Sequence, residues 1–383
     1  MAPITSLFAF GLLAANGVLS HPGHSVAEEA AERGHWLRTA KPRSVQSCAS
    51  DLKRRGHHEQ AVARRSELAR LARTKRGLEQ PTVQRRDFAD YNISHASNLD
   101  VGLGSDEREL FADDSSCLLQ PETTQGPYYV DGEIIRNDMS EEQVGIPLYL
   151  SIQLVDTSTC EPVPAVFVDV WHCNSTGVYS GVINPSNGNP NDTLNQETTF
   201  LRAVQQTDIN GVVQFQSIFP GHYIGRAVHI HVLTHNVNST TIRTNGTLIN
   251  AASNHTAHAS HVGQIFFDQD LISQVEATAP YNTNTQELLN NDEDGILYQE
   301  AKGSDPFVEY VLVGDKIEDG VLAWVSLGID PAADYVTPSV ATYEKDGTDV
   351  NEDFKYTGPR SGPISEVGIP GEEGAAVAGG AKL

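Results

Sequence analysis

Between residues 117 and 329 the sequence is a series of short segments rich in β-branched and aromatic residues, separated by loops of Gly, Asn, Pro and Asp. The segments are PLYLSIQLV, AVFVDVWHC, TFLRAVQQT, VVQFQS, AVHIHVLTH, VGQIFFD, VEYVLVGD and VLAWVSLGI. No long helical pattern lies between them, and only a short stretch near Leu271 to Ala277 reads as a helix. The pattern therefore excludes a parallel sheet wound with helices and predicts an all-β fold, one antiparallel β-sandwich or barrel.

Charge divides the chain into a basic leader and an acidic body. The formal net charge is -24, yet residues 21–86 carry 15 Lys and Arg against 7 Asp and Glu, whereas the residues from Asp87 onward carry 11 against 43. Binding of nucleic acid or of an anionic membrane requires clustered Lys and Arg, which the body lacks. The charge distribution thus argues against nucleic acid and membrane as partners.

The first 20 residues predict a secretory signal peptide. They contain an uncharged apolar run from about Leu7 to Leu19, which is too short to span a bilayer, and Ser20 suits cleavage by signal peptidase. Sequons of the form N-x-Ser/Thr support a secreted, extracellular glycoprotein. They lie at Asn92, Asn174, Asn191, Asn238, Asn245 and Asn254.

Residues 21–86 form the basic leader, which carries dibasic pairs at Lys75-Arg76 and Arg85-Arg86. The apolar spacing between Asp51 and Arg73 predicts one or two amphipathic helices with a break near Gly56. Two interpretations remain open, a propeptide removed at the dibasic pairs and a helical arm that docks its positive face on the acidic body. Beyond the leader we expect a linker over 87–116, the β-domain over 117–335 and an extension over 336–383, disordered after 357.

The chain has four cysteines, which in a secreted protein could form two disulfides by any of three connectivities. Cys160 and Cys173 flank one predicted strand, so their Cα atoms lie farther apart than the roughly 6 Å that a disulfide needs. We therefore expect Cys117 to pair with Cys160 or with Cys48.

The segment PGHYIGRAVHIH carries the strongest chemical signal. His229 and His231 are two residues apart in a predicted strand, so their imidazoles point to the same face and can bind one metal. Tyr223 and Arg226 precede them in a turn that begins at Pro220, which brings a phenol and a guanidinium to the same place. Imidazole combined with an anionic oxygen ligand suits a transition metal, and phenolate favours ferric iron.

A second phenol, Tyr179, follows a predicted strand through a turn containing Gly177. The motifs LQPETTQGPYY, DVWHCNSTGVYSG, SIFPGHY, RAVHIHV and GQIFF occur in the order in which the intradiol ring-cleavage dioxygenases carry them. Over about residues 117–330 the chain resembles the catalytic domain of that family, which includes catechol, hydroxyquinol and protocatechuate dioxygenases. Its leader and tail are similar to those of the secreted fungal branch.

The resemblance implies an intradiol dioxygenase-like β-sandwich with a mononuclear non-haem Fe(III) held by Tyr179, Tyr223, His229 and His231 and by a solvent hydroxide. It implies cleavage of a catechol-type ring between its two hydroxyls with O2, giving a muconate-type diacid. Tyr223 would accept a proton from the substrate and leave the metal, Arg226 would stabilise developing negative charge, and Gln264 would be an amide beside the substrate. The implied partners are a small aromatic diol and O2.

Three alternatives are weighed against this interpretation. A secreted β-sandwich could bind metal or carbohydrate without turnover, and a copper site could form at His21 if it becomes the N-terminus. A serine hydrolase is disfavoured because no G-x-S-x-G elbow is present. The catechol branch usually has a longer insert than the five residues between Tyr223 and His229, so its substrate-pocket residues are not carried over.

The sequence constrains the identity of the substrate and the oligomeric state less than it constrains the type of reaction. The acidic body would repel an anionic aromatic acid unless a local positive group such as Arg226 offset its field, so a neutral catechol is favoured. The oligomeric state is left open, with a homodimer as one alternative.

Overall fold

The computed structural model describes residues 48–78, 117–119, 126–236, 238–250, 255–301, 305–344 and 347–354. The predicted signal peptide, the first part of the leader, the linker over 87–116 and the tail after 357 lie outside the described residues. No described helix is both long enough and apolar enough to cross a membrane.

β-Strands are the main regular secondary structure of the described residues. Its helices are α1 (Ala49–Arg54), α2 (His57–Lys75), α3 (Gln269–Glu276) and α4 (Gly295–Glu300). Its strands are β1 (Cys117–Leu119), β2 (Val130–Asp131), β3 (Pro147–Asp156), β4 (Phe167–Trp171), β5 (Arg202–Gln206), β6 (Val212–Ile218), β7 (His229–His235), β8 (Thr240–Ile242), β9 (Leu248–Asn250), β10 (Thr256–Phe266), β11 (Glu309–Leu312), β12 (Val321–Ile329), β13 (Tyr335–Pro338), β14 (Ala341–Glu344) and β15 (Gly347–Val350).

Two 5-stranded sheets form a sandwich. The first sheet has the order β1-β12-β3-β6, with β11 also paired to β12, and the second has the order β13-β10-β7-β4-β5. Leu148, Leu150 and Ile152 of β3 and Ile230 and Val232 of β7 belong to the buried cluster between the sheets. Each such side chain contributes about 1.5–3 kcal/mol when it leaves water. The predicted β-sandwich is confirmed, and the eight predicted strands correspond to β3–β7 and β10–β12.

The strand directions include a feature that the sequence pattern did not indicate. The second sheet is antiparallel throughout, but in the first sheet β12 runs parallel to β3, from Val321 opposite Leu148 to Ile329 opposite Asp156. Parallel neighbours need a long crossover. Here the chain between β3 and β12 supplies it by building four of the five strands of the second sheet, β4, β5, β7 and β10.

The period-2 alternation of the strands divides each sheet into an inner and an outer face. The outer face of the first sheet carries Tyr149, Leu322 and Trp324, which cluster with Leu68 and Ala72 of α2. Arg65 of α2 also places its guanidinium 4.9 Å from the centre of the Trp324 ring, a cation–π distance. The helical part of the leader therefore packs on this sheet, with the expected break at Gly56, whose φ is +73°.

A disulfide fixes the start of this helical arm. Cys48 precedes α1 and is bonded to Cys160, which follows β3, with Cα atoms 5.3 Å apart. The expectation that Cys117 pairs with Cys160 or Cys48 is therefore wrong, because those two cysteines bond to each other. The expectation failed because the docking of α1 beside the end of β3 joins residues 112 positions apart, which spacing alone cannot reveal.

Basic side chains of the arm contact the acidic body at several points. Arg55 pairs with Glu161 at 2.7 Å, and Lys75 Nζ lies 3.5 Å from Asp138. Arg76 donates to the backbone carbonyl of Glu318. One of the dibasic pairs, Lys75-Arg76, thus lies at the docked end of α2.

Strand pairing continues past the predicted domain boundary at 335. The strand β13 begins there and pairs with β10, β14 pairs with β2, and β15 pairs with β14. Residues 335–344 and 347–350 therefore belong to the same folded unit as the sandwich. They help to cover the outer face of the second sheet, since Tyr343 clusters with Tyr128 and Trp171.

Candidate metal centre

Four predicted ligand side chains meet on the outer face of the second sheet. The phenol oxygens of Tyr179 and Tyr223 each lie 3.5 Å from His229 Nε2, and this nitrogen lies 3.1 Å from His231 Nε2. Donor atoms that share one metal at about 2 Å lie roughly 3 Å apart. The structure thus brings all four predicted ligands together at distances that fit a single metal ion.

The two imidazoles are oriented by contacts behind the centre. Nδ1 of His229 donates to the carbonyl oxygen of Ala227 at 2.7 Å, which leaves Nε2 unprotonated and directed at the other donors. The ring of His231 stacks on Trp171, with centroids 4.8 Å apart and planes 2° from parallel. Two imidazole nitrogens 3.1 Å apart need a proton or a cation between them, and the phenol oxygens complete the set for a cation.

Tyr179 is held rigidly. Its N–H donates to Asn187 Oδ1 at 2.8 Å, and its carbonyl accepts from Asn187 Nδ2 and Asn195 Nδ2, both at 2.8 Å. The ring stacks on Tyr128 with centroids 4.5 Å apart, and the residue is 1% exposed. The phenol oxygen of Tyr179 therefore has one well-defined position.

Tyr223 lies in a more open segment, the loop between β6 and β7. The adjacent Ile224 is 51% exposed, and Gly225 has a φ of +81°, a conformation that favours glycine. His222 anchors one side of the loop through Glu276 Oε1 at 2.8 Å. Tyr223 itself is 6% exposed, so its side chain is slightly less enclosed than that of Tyr179, which is 1% exposed.

Burial decides the protonation of this centre in the absence of a cation. It raises the pKa of Tyr179 well above its usual value and that of Tyr223 to about 12, and it lowers the pKa of both His229 and His231 well below the usual range. The four groups are then neutral phenols and neutral imidazoles, which are strong ligands once the phenols lose their protons. A trivalent cation stabilises the phenolates, and two phenolates with one hydroxide balance its charge, so the donor set fits ferric iron.

The described residues contain no group of three or more His, Cys, Asp and Glu side chains arranged to hold a metal. The mixed set of two phenols and two imidazoles is therefore the candidate metal site in the part of the chain that the structure describes.

Arg226 and Gln264 form a buried pair beside the centre. Arg226 NH2 donates to Gln264 Oε1 at 2.5 Å, and Arg226 is 2% exposed. Gln264 stands opposite His231 in the pairing of β7 with β10. After burial, the charge of Arg226 is the second cause of the lowered pKa of both His229 and His231, so the guanidinium acts directly on the centre.

Sequence reasoning missed the acidic partner of Arg226. Arg226 Nε lies 2.9 Å from Asp294 Oδ2, and Asp294 is fully buried, at 0% exposure. The available signal was local, since an Asp just before an apolar segment is typical of a helix N-cap, and Asp294 caps α4. Its contact across 68 residues with Arg226 had no sequence signal.

A second buried polar cluster lies next to the centre on the same sheet face. It contains three buried carboxyl groups, those of Asp131, Glu133 and Asp169, together with Arg202 and His235. Arg202 pairs with Glu133 at 3.0 Å, and His235 Nε2 lies 3.2 Å from Asp169. Burial raises the pKa of Asp169 to about 7 and lowers that of His235 to about 4. The cluster therefore combines one guanidinium with carboxyl groups that retain protons above their usual pH range.

Comparison with known proteins matches this chain to dioxygenases. The family model Dioxygenase_C, described as dioxygenase, matches residues 124–294. The chain is 29% identical over 139 residues to catechol 1,2-dioxygenase of Acinetobacter baylyi, covering 33% of this chain and 42% of that protein. It is 38% identical over 65 residues to catechol 1,2-dioxygenase of a Pseudomonas species, covering 16% of this chain and 21% of that protein. The matches thus span less than half the length of these curated relatives.

A match among solved structures covers its counterpart more fully. It is an intradiol ring-cleavage dioxygenase from Tetranychus urticae, 31% identical in sequence, with 57% of this chain and 97% of that chain covered and a TM-score of 0.45. The residues that the family model matches, 124–294, include Tyr179, Tyr223, His229 and His231. On this identity over nearly the whole of the matched protein, the chain belongs to the intradiol ring-cleavage dioxygenase family.

Proposed function

We propose that this protein is an Fe(III)-dependent dioxygenase that cleaves a catechol-type ring between its two hydroxyls with O2, giving a muconate-type diacid. One observation carries the proposal. In a member of this family, the phenol oxygens of Tyr179 and Tyr223 and Nε2 of His231 each lie 3.1–3.5 Å from Nε2 of His229 in a buried site.

Ferric iron bound by these four side chains would supply the Lewis acidity that binds both oxygens of a catechol and draws electron density from its ring toward reaction with O2. The residues of the chain supply binding, orientation and proton transfer. Each of three ligands has a partner that holds it. Asn187 fixes the backbone of Tyr179, the Ala227 carbonyl orients the ring of His229, and Trp171 stacks on the ring of His231. These three are suited to remain in place through a reaction.

Tyr223 is suited to move a proton. A catechol that binds through both oxygens must lose two protons, and a phenolate that leaves its position can accept one at its oxygen. The pKa of Tyr223, raised by burial to about 12, makes its phenolate a strong base once it is free. The proposed movement of Tyr223 is supported by its place in a loop whose next residue, Ile224, is 51% exposed.

Arg226 and Gln264 supply fixed charge and polarity. Negative charge develops on the substrate during attack by O2, and a guanidinium held beside it stabilises that charge most strongly where water is excluded. Both residues are almost fully buried, so the electrostatic effect is not screened by bulk solvent.

A product assay tests the proposed reaction. Iron-replete protein is incubated with catechol, hydroxyquinol and protocatechuate in air, with oxygen uptake and product structure measured together. Cleavage between the hydroxyls with one O2 consumed per ring supports the proposal. Cleavage beside the hydroxyls, or iron binding without oxygen uptake on any of the three, contradicts it; the latter favours the alternative of a non-catalytic metal- or carbohydrate-binding protein.

We further propose that the protein is secreted and keeps its helical arm. The apolar N-terminal run and the sequons support secretion, and the disulfide with the apolar contacts of α2 supports retention of the arm. N-terminal sequencing of the secreted protein, run on reducing and non-reducing gels, tests both. A single start at Gly77 or Asp87, with no second chain released by reduction, contradicts retention.

A further inference from the structure

Asp294 makes two separable sets of contacts with its two carboxylate oxygens. Oδ1 accepts from the backbone N–H groups of Ile296 at 2.7 Å and Leu297 at 3.1 Å, which caps α4. Oδ2 accepts from Arg226 Nε at 2.9 Å and from the backbone N–H of Ala227 at 2.7 Å. One oxygen therefore serves the helix, and the other serves the segment that leads into the metal ligands.

The Oδ2 contacts reach the metal centre through one short segment. The carbonyl of Ala227 receives Nδ1–H of His229, so Asp294 holds the same residue that orients a ligand imidazole. The guanidinium of Arg226 is held at two places, by Asp294 at Nε and by Gln264 at NH2. A planar guanidinium fixed in this way has little freedom to rotate.

The pairing also decides how much positive charge the site offers to a ligand. Both Arg226 and Asp294 are almost fully buried, so their charges compensate each other at short range with little help from solvent. Arg202, the other guanidinium that acts on His231, lies among the buried carboxyl groups of Asp131, Glu133 and Asp169. Arg226 is thus paired with a carboxylate and leaves no uncompensated positive charge for a substrate carboxylate.

We propose that Asp294 is a positioning residue that orients Arg226 and balances its charge, and that this balance makes the site select a neutral catechol over a ring that carries a carboxylate. The inference rests on the proposed function. In this account Arg226 stabilises charge that develops during the reaction and does not bind a carboxylate already present in the substrate.

Asp294→Asn separates the two roles, because the amide oxygen can still cap α4 whereas the amide nitrogen cannot accept from Arg226. Each iron-loaded protein is titrated without oxygen, and its visible spectrum gives the affinity for catechol and for protocatechuate. We expect the preference for catechol to fall by at least about 10-fold in Asp294→Asn, because Arg226 gains an unbalanced charge. Asp294→Glu should restore most of the preference. Asp292→Asn removes the same charge from an exposed position two residues away and should leave the preference unchanged.

A second readout needs neither iron nor turnover. In the metal-free protein, the Nε–H resonance of Arg226, assigned by its loss in Arg226→Lys, should move in Asp294→Asn toward the position of exposed arginines. If that resonance does not move, the positioning role is wrong. If it moves while the preference stays within about twofold of wild type, the selectivity claim is wrong. Failure of the proposed function gives a different result from failure of this inference. In that case the wild-type spectrum responds to neither catechol nor protocatechuate, and the Arg226 resonance alone tests the positioning role.

Discussion

The two outer faces of the sandwich are covered in opposite ways. The face of the first sheet is apolar at Tyr149, Leu322 and Trp324, and a helical arm from far upstream in the chain covers it. The face of the second sheet buries polar side chains, among them His229, His231 and Asp169, beneath loops and the strands that follow residue 335.

The difference indicates that the covered face of the first sheet contributes mainly to stability, whereas that of the second sheet contributes mainly to the proposed function. Apolar side chains stabilise the fold simply by leaving water, whereas buried polar groups cost free energy unless they are paired or bind a metal. The outer face of the second sheet buries two imidazoles, two phenols and a guanidinium in one place. The proposed metal site accounts for the free-energy cost of burying them. The arm face requires only contact and a tether, so changes on the two faces should have separable effects.

The largest effect should come from removing a ligand imidazole. His229→Ala or His231→Ala should lower iron affinity by more than about 100-fold, because the loss of a ligand exceeds the 10–100-fold typical of its outer partners. Iron content per chain and visible absorption measure the result. His258→Ala, on the neighbouring strand β10 and outside the donor set, is the control and should retain iron. Normal iron content in both variants would contradict the assignment of His229 and His231 as metal ligands.

The arm face should respond to loss of its tether in stability alone. The double variant Cys48→Ser/Cys160→Ser opens a loop of 112 residues, so we expect a loss of about 2–5 kcal/mol in the free energy of unfolding. Denaturant unfolding measures it, and reduction of the wild-type disulfide should reproduce it. Iron content and catechol binding should be unchanged. If the variant loses iron in its folded state, the two faces are not independent.

The two phenols should differ from each other. Tyr223→Phe should retain iron but bind catechol without oxygen about 100-fold more slowly or worse, because the proton acceptor is absent. Tyr179→Phe should instead weaken iron binding, because the fixed phenolate is lost. Stopped-flow mixing with catechol and iron analysis distinguish the two outcomes. Equal behaviour of the two variants would contradict the assignment of Tyr223 as the movable ligand.

The last effect is a pH dependence of stability and concerns the carboxyl cluster beside the centre. Burial raises the pKa of Asp169 from 3.8 to about 7, so between these values the folded protein holds a proton that the unfolded chain has lost. The stability that this protonation contributes is complete below about pH 4 and is lost as the pH rises to about 7. Asp169→Asn removes this dependence. Relative to wild type, the variant should gain up to about 1.4 kcal/mol per pH unit across that window and no more above it.

Denaturant unfolding at a series of pH values measures this effect. The exposed Asp353→Asn removes a negative charge elsewhere and controls for the change in net charge. A constant difference between Asp169→Asn and wild type from pH 4 to pH 8 would contradict the raised pKa of Asp169 in the folded state.

The same comparison shows what sequence could predict. The strands, the His229 and His231 pair and Tyr223 follow from local patterns, because residues two apart in a strand share a face and Tyr223 lies in the turn just before the pair. The resemblance to the family supplied Tyr179, which no spacing selects. Fold and ligand geometry were therefore accessible from short segments of sequence.

The unpredicted features all depend on contacts between distant parts of the chain. They include the Cys48–Cys160 bond, the parallel pairing of β12 with β3 and the contact of Asp294 with Arg226. Each joins residues that are far apart in sequence, and neither periodicity nor composition encodes which distant partner will be close. Only the packed sandwich brings them together.

The most direct test of the central claim is the visible absorption spectrum of iron-replete protein, recorded without oxygen before and after addition of catechol. We predict a burgundy protein, coloured by charge transfer from tyrosinate to Fe(III), whose absorption moves to longer wavelength when catechol binds. The colour should be absent in His229→Ala. A wild-type protein that contains iron yet is colourless, or whose absorption is unchanged by catechol, would contradict the claim that Tyr179, Tyr223, His229 and His231 form a catechol-binding ferric centre.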